Sequence, residues 1–245
     1  MGKRKTHPHP AKFSDEVLAG AAMLLDTYCR QLPTVEGCWP IVLDPFAGVG
    51  RVVELHQPGS NWRWILNEIE PEWAADCADA IALADVDGIV TCRDWLASPG
   101  HLSWFGACSL VITSPTYGNR MADRHEPGAE DRSTRITYRH KLGRRLSAGN
   151  SGGMQWGADY RLFHDEAWRL VWEALLPGGF FLLNVKDHVR DDEVQPVTAW
   201  HKTTLETIGF SLVEERWVGA PGMRFGANRG LRVEHESVSL WRKPT

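Results

Sequence analysis

The sequence predicts an α/β fold, a mostly parallel sheet with helices on both faces, from three observations. Seven short apolar runs read as strands, and most alternate with segments of helical period. The first run, Ile41-Val42-Leu43, ends at Asp44 and passes through Pro45-Phe46-Ala47-Gly48-Val49-Gly50 into Arg51-Val52-Val53-Glu54-Leu55, which reads as a helix start. Strand, glycine turn, helix is where an open α/β sheet holds a ligand, because glycine lets the backbone approach it. The second run, Arg63-Trp64-Ile65-Leu66-Asn67-Glu68, ends in an acid 20 residues after Gly48, placed to accept ribose hydroxyls. Val53 stands where a dinucleotide fingerprint needs glycine or alanine, which argues against a pyrophosphate ligand.

The 245 residues suit a single domain, 1–245, without internal repeats or a separating linker. Hydrophobic content of 43% and charged content of 24% are ordinary for a globular chain with a sizeable core. The net charge of −4 advertises no global basic field, so any signal for nucleic acid must be local. The five cysteines are scattered with no Cys-x-x-Cys pair. That argues against a disulfide framework and a metal site, and fits a cytoplasmic location. No stretch is long and apolar enough to span a membrane, and residues 1–30 lack a signal-type apolar core, so no membrane partner is expected.

Residues 1–13 are basic and proline-punctuated and read as an extended arm. Ser14 caps a helix to about Leu32, with Val17, Leu18, Ala21, Leu24, Leu25 and Tyr28 on one face. Ile69-Glu70-Pro71-Glu72-Trp73 opens a helix to about Ala84, Pro71 being tolerated in the first turn. The third strand, 88–92, leads to Arg93-Asp94-Trp95, where Asp94 suits a ligand contact and a helix cap equally. The fourth strand, 109–113, enters Ser114-Pro115-Thr116-Tyr117-Gly118-Asn119-Arg120. An insertion over about 118–160, rich in glycine and arginine, shows no clear period. A helix over about 160–176 carries Phe163, Ala167, Trp168, Val171, Trp172 and Leu175 as a core stripe, and Pro177-Gly178-Gly179 stops it. The fifth strand, 180–185, leads into a polar cluster, Asn184, Lys186, Asp187 and His188, read as a structural cluster, a general base or a base-edge contact. A polar loop, a helix over about 198–208 and two strands, 210–218 and 234–241, complete the chain.

Asp44-Pro45-Phe46-Ala47-Gly48-Val49-Gly50, His9-Pro10-Ala11-Lys12-Phe13 ahead of a helix, the acidic run 68–73, and Ser114-Pro115-Thr116-Tyr117 occur in that arrangement at successive strand ends. Together they resemble the amine-directed (cytosine-N4 or adenine-N6) DNA methyltransferases of bacterial and phage type. The resemblance covers about residues 9–120 by motif and the rest by strand pattern. It implies a class I methyltransferase sheet, Rossmann-like and seven-stranded, with the last strand antiparallel. It implies S-adenosyl-L-methionine as cofactor, held by Asp44, Phe46, Gly48, Gly50, Glu68 and Asp94, with His9, Ala11, Lys12 and Phe13 closing over its methionine part. It also implies Ser114, Pro115 and Tyr117 as catalytic residues, with no metal. An exocyclic amine is a poor nucleophile because its lone pair is delocalised into the ring. Acceptors at Ser114 and the Pro115 carbonyl would draw the nitrogen toward a tetrahedral form, and Tyr117 would stack on a flipped base. Thr116 departs from the family's proline. Serine at the first position leans toward cytosine N4.

Between Arg132 and Arg145 six cationic residues occur with no acid, and Tyr138 and His140 are interleaved. Arg135, Arg139, Arg144 and Arg145, with Arg120 and Arg224, are the expected contacts to duplex DNA. With few apolar residues to pin it, the 120–160 stretch is expected to be mobile without DNA. An RNA substrate and a non-catalytic cofactor- or DNA-binding subunit are the alternatives.

Overall fold

Adjacent residues along each central strand are buried on opposite faces, which is why the sheet needs helices on both sides. Val42, Trp64, Leu110, Leu182 and Leu240 belong to one apolar cluster, and their neighbours Leu43, Ile65, Val111, Phe181 and Trp241 to another. The computed structural model describes residues 9, 12–30, 32–97, 104–122, 137–220 and 231–245. In chain order its elements are α1 (Asp15–Tyr28), β1 (Ile41–Asp44), β2 (Arg63–Asn67), α2 (Pro71–Ala84), β3 (Gly88–Thr91), β4 (Cys108–Thr113), α3 (Tyr138–Leu142) and α4 (Ala158–Ala174). They continue with β5 (Leu175–Val185), β6 (His188–Arg190), β7 (Glu193–Gln195), α5 (Val197–Ile208), β8 (Ser211–Gly219) and β9 (His235–Arg242).

The main sheet has seven strands in the order β3-β2-β1-β4-β5-β9-β8. Strands β1 to β5 pair in parallel, and β9 inserts antiparallel between β5 and β8. This is the expected class I methyltransferase sheet, its last strand reversed. Strand order turns at β1 and β4, so the cleft beyond their carboxyl ends is the switch point at which such sheets bind ligands. The first cluster carries α1 and α2 residues, among them Val17, Leu24, Leu25, Cys77 and Ile81; the second carries Phe163, Trp168 and Val171 of α4 and Leu205 of α5. Among the described residues no helix is long and apolar enough to cross a membrane.

Four local readings are corrected. Arg51–Leu55 is a short 3-10 helix rather than an α-helix; Pro58 lies close behind it and disfavours helical backbone at Gln57. Helix α4 ends at Ala174, and Pro177-Gly178-Gly179 lies inside β5 at an irregularity in the β4 pairing, with Gly178 at φ 76°. The polar loop after β5 contains the β6–β7 hairpin, turned by Asp191 and Asp192, both at positive φ. The described end of the 118–160 insertion is not unpinned. Tyr138 is buried against Val49 and Trp73, with Leu142 and Leu146 packed beside it, and Thr137 caps α3 by accepting from the His140 amide.

Candidate active site

The carboxyl ends of β1, β2, β3 and β4 open into one cleft. It is lined by Pro45, Phe46 and Gly48 after β1, by Asn67 and Glu68 at β2, and by Arg93 and Trp95 after β3. Ser114 and Thr116 after β4, Phe163 of α4, His9, and Tyr138, Gly149, Asn150 and Ser151 of the insertion complete the wall.

The glycine turn is held from below. Asn67 donates to Pro45 O at 3.1 Å and Arg93 O at 3.2 Å and accepts from Thr91 Oγ1 at 2.7 Å, so one amide ties the loops after β1 and β3 together. Asp44 Oδ1 accepts from the Phe46 amide at 3.0 Å and Thr113 Oγ1 at 2.7 Å, while its Oδ2 is buried with no hydrogen-bond partner among the described residues. Burial raises the Asp44 carboxyl to about 7, its two hydrogen bonds opposing the shift. Glu68 Oε2 accepts from the Gly48 amide and its Oε1 from the Glu70 amide, both at 2.9 Å. Burial pushes Glu68 up to about 8 despite those bonds, with the neighbouring carboxylates of Glu70 and Asp44 adding to the shift. Glycines 48 and 50 differ in role. Gly48 (φ 56°) faces the cleft, and a Cβ there would lie 3.2 Å from the His9 ring. Gly50 (φ 73°) lies off the cleft wall, and a Cβ there would meet the Cys77 backbone at 2.9 Å. Its absent side chain lets the turn pack on α2.

The insertion forms the roof, and a buried carboxylate anchors it. Glu70 Oε1 accepts from the Ser147 amide at 2.8 Å and Asn150 Nδ2 at 2.6 Å; Oε2 accepts from Ser147 Oγ at 3.0 Å and pairs with Arg144 at 2.7 Å. Arg144 also bridges to Glu72. Those carboxylates hold its guanidinium above its ordinary value, the Glu72 hydrogen bond contributing most. Arg144 is thus held in the roof by Glu70 and Glu72. Arg139 is half-buried and Arg145 exposed. The side chain of Arg120, and Arg135 and Arg224 altogether, lie outside the described residues.

Ser114 lines the cleft half-buried; its Oγ lies 2.9 Å from Asn184 Oδ1 and 3.0 Å from the Tyr117 hydroxyl. The buried Pro115 follows it. Tyr117 O also lies 2.9 Å from Asn184 Oδ1 and 3.2 Å from Glu236 Oε2. Burial and the Glu236 carboxylate keep this phenol protonated, far above its ordinary range. The Tyr117 ring packs against the second core cluster and is not part of the cleft wall.

Thr116 joins the motif to its surroundings. Its Oγ1 donates to the insertion at Ser151, and its carbonyl accepts from the Tyr160 hydroxyl at 2.6 Å. The proton positions behind it follow from the partners. Trp168 Nε1 donates to His201 Nδ1 at 2.9 Å, so that nitrogen carries no proton. Burial pushes His201 well below its usual value and keeps it neutral. Its Nε2–H then donates to Tyr160 O at 3.0 Å, which leaves the Tyr160 hydrogen for Thr116.

Of the expected cofactor residues, His9, Phe46, Gly48 and Glu68 meet in the cleft, with Asp44 directly behind Pro45. Phe13 instead packs in the first core cluster, its carbonyl accepting from Arg51, and Lys12 is exposed. Ala11 lies outside the described residues. Asp94 closes a local turn: its Oδ1 accepts from the Leu96 amide at 3.0 Å, and Gly149 lies so close that a Cβ there would collide with Oδ2. Asn67, Glu70, Asn150 and Glu236 were not singled out by sequence. Only Glu70, within the acidic run after β2, carried a signal that could have found it.

No protein-family profile and no curated protein sequence matches the chain. Solved structures do. A putative class I S-adenosylmethionine-dependent methyltransferase from Listeria monocytogenes aligns with 100% of this chain and 63% of its own, at 14% identity and a TM-score of 0.56. The carbon methyltransferase CurJ aligns with 95% of this chain and 57% of its own, at 13% identity and 0.53. The [4+2]-cyclase SpnF aligns with 99% and 88%, at 13% identity and 0.54. The fold is thus that of the class I methyltransferases. A cyclase on the same fold means that the reaction must be argued from the site.

Proposed function

We propose that this chain is an S-adenosylmethionine-dependent methyltransferase acting on an exocyclic amine of a base in DNA, cytosine N4 in preference to adenine N6. The observation that carries the reading is that one cleft holds the glycine turn and Glu68 at one end and Ser114 at the other.

The cleft fits the cofactor. Gly48 leaves backbone open to it, Glu68 offers a carboxylate to ribose hydroxyls, and Asp44 keeps a buried oxygen without a partner among the described residues. His9 and Phe46 supply ring surface, and Tyr138 and Asn150 line the cleft from the roof. When bound, S-adenosylmethionine would supply a sulfonium methyl group. The protein's part is to present the amine. Ser114 Oγ and the Pro115 carbonyl accept its two N–H bonds and localise its lone pair, and most of the rate then comes from alignment. Thr116, in place of proline, locks the motif to the roof at Ser151 and to Tyr160. Arg139 and Arg145, beside the roof, are the described candidates for phosphate contacts.

The test is transfer of labelled methyl to duplex DNA, single-stranded DNA and RNA, followed by nucleoside analysis. N4-methylcytosine in DNA is the expected product. Label confined to RNA would move the substrate class, and no transfer with intact cofactor binding would favour a non-catalytic role.

A further inference from the structure

Asn184, near the end of β5, sits between Ser114 and the antiparallel strand β9. Its side-chain amide has one orientation compatible with its partners. Nδ2 lies 3.1 Å from the Ser237 carbonyl and 3.3 Å from Glu236 Oε2, both acceptors, so the nitrogen must face β9. Oδ1 is thereby turned to Ser114 and Tyr117, each at 2.9 Å. A serine hydroxyl is ambivalent, since its single hydrogen can turn toward the target amine or away from it. Turned toward the amine, it would leave no lone pair aligned with the amine N–H.

We propose that Asn184 is a positioning residue that sets the polarity of Ser114: it takes the Ser114 hydrogen on Oδ1 and so leaves Oγ facing the cleft as an acceptor. The inference rests on the reading of Ser114 as the amine acceptor. Tyr117 supports the same arrangement. Its hydroxyl lies within hydrogen-bond distance of Asn184 Oδ1, Glu236 Oε2 and Ser114 Oγ, and a hydrogen given to either of the first two leaves none pointing at the cleft. Glu236 orients Asn184 from β9, and Lys186 lies 3.7 Å from the other oxygen of Glu236.

Two variants of similar size separate this role from packing. Asn184→Asp keeps an acceptor toward Ser114 but puts a carboxyl beside Glu236 and the Ser237 carbonyl, so it is the less stable of the two. Asn184→Leu removes the acceptor and leaves an apolar group that buries well. Polarity control predicts that Asn184→Leu loses turnover by on the order of 10- to 100-fold, with KM for cofactor and DNA unchanged, while Asn184→Asp keeps most of the wild-type kcat. A purely structural role predicts the reverse order, following thermal stability. If Asn184→Leu does not fold, judged by its melting curve, Asn184→Ala takes its place with the same expectation. Wild-type kcat in the apolar variant, or a loss in Asn184→Asp as large as in Asn184→Leu, would overturn the proposal. A wild-type protein that methylates no nucleic acid removes the functional reading and this inference with it; an active wild type with the reversed order removes the inference alone.

Discussion

Glu68 is a carboxylate that the protein has made reluctant to ionise. Burial raises it to about 8, so at pH 7 the unliganded protein holds it mostly protonated. Ribose hydroxyls donate to a carboxylate, so binding favours the ionised form and must expel a proton below pH 8. Cofactor affinity should therefore rise between pH 6 and 8, by up to about tenfold per unit, and level off above. In Glu68→Gln that dependence should vanish and affinity should be lower throughout. Calorimetric titrations across this range check it, and parallel pH curves for the two proteins would refute the role. The two turn glycines separate in the same spirit. Gly48→Val puts a branched side chain into the cleft and should abolish cofactor binding in a folded protein. Gly50→Ala drives a Cβ against the Cys77 backbone and should cost stability, about 1–3 kcal/mol, before it costs affinity. Unfolding curves and binding constants for both variants distinguish these effects.

The element that sets this cleft apart is the insertion between β4 and α4. Its described part closes the cofactor end through the Glu70 anchor, so the acid on the loop after β2 governs an element some 75 residues away in sequence. Glu70→Ala removes the shared acceptor of Arg144, Ser147 and Asn150. Amides of residues 137–153 should exchange faster, and cofactor affinity should fall while the sheet keeps its protection. Arg144→Ala should lower stability by about 1.5–3 kcal/mol, the range for hydrogen bonds to charged groups. If the chain binds DNA as proposed, removal of Arg144, which Glu70 and Glu72 occupy, should leave the salt dependence of that binding unchanged. Arg139→Ala with Arg145→Ala should flatten that dependence, by about 0.9 in the log–log slope for each phosphate that is no longer neutralised. Equal slopes for all three proteins would overturn Arg139 and Arg145 as the proposed phosphate contacts.

For the whole molecule, buried ionisable groups define a pH window. Asp44 and Glu68 are raised to about 7 and about 8. Their contribution is complete below the unfolded carboxylate values near 4 and is lost as pH rises through 7 and 8. His164 and His188 are lowered to about 4 by burial, and His201 is also held well below its ordinary value. Their contribution is present above pH 6.5 and is lost as pH falls below it. Between pH 4 and 6.5 the two sets oppose each other, and above 6.5 the carboxyls act alone. The melting temperature should accordingly fall between pH 6.5 and 8, and Glu68→Gln should reduce that fall. A flat profile over this interval would contradict it.

The sequence by itself determined the sheet, because strands buried on both faces must be short, apolar and β-rich, and because the glycine turn and the acid 20 residues later are local patterns. It also determined that Ser114-Pro115-Thr116-Tyr117 leaves a strand end, since proline does not continue a regular ladder and inside a central strand needs an irregularity such as that at Pro177. What it left open were the partners of polar side chains. Asp94 as the acceptor in a local turn, Arg144 as an anchor and Asn184 as the partner of Ser114 depend on residues 2, 72–74 and 70 positions away. The two longer separations follow no period. A basic, glycine-rich insertion reads as unpinned until Tyr138 is found against Trp73 and Glu70 beneath Ser147 and Asn150. Only tertiary structure decides such pairings, because a hydrogen-bond donor carries no mark in the sequence of the acceptor it will meet.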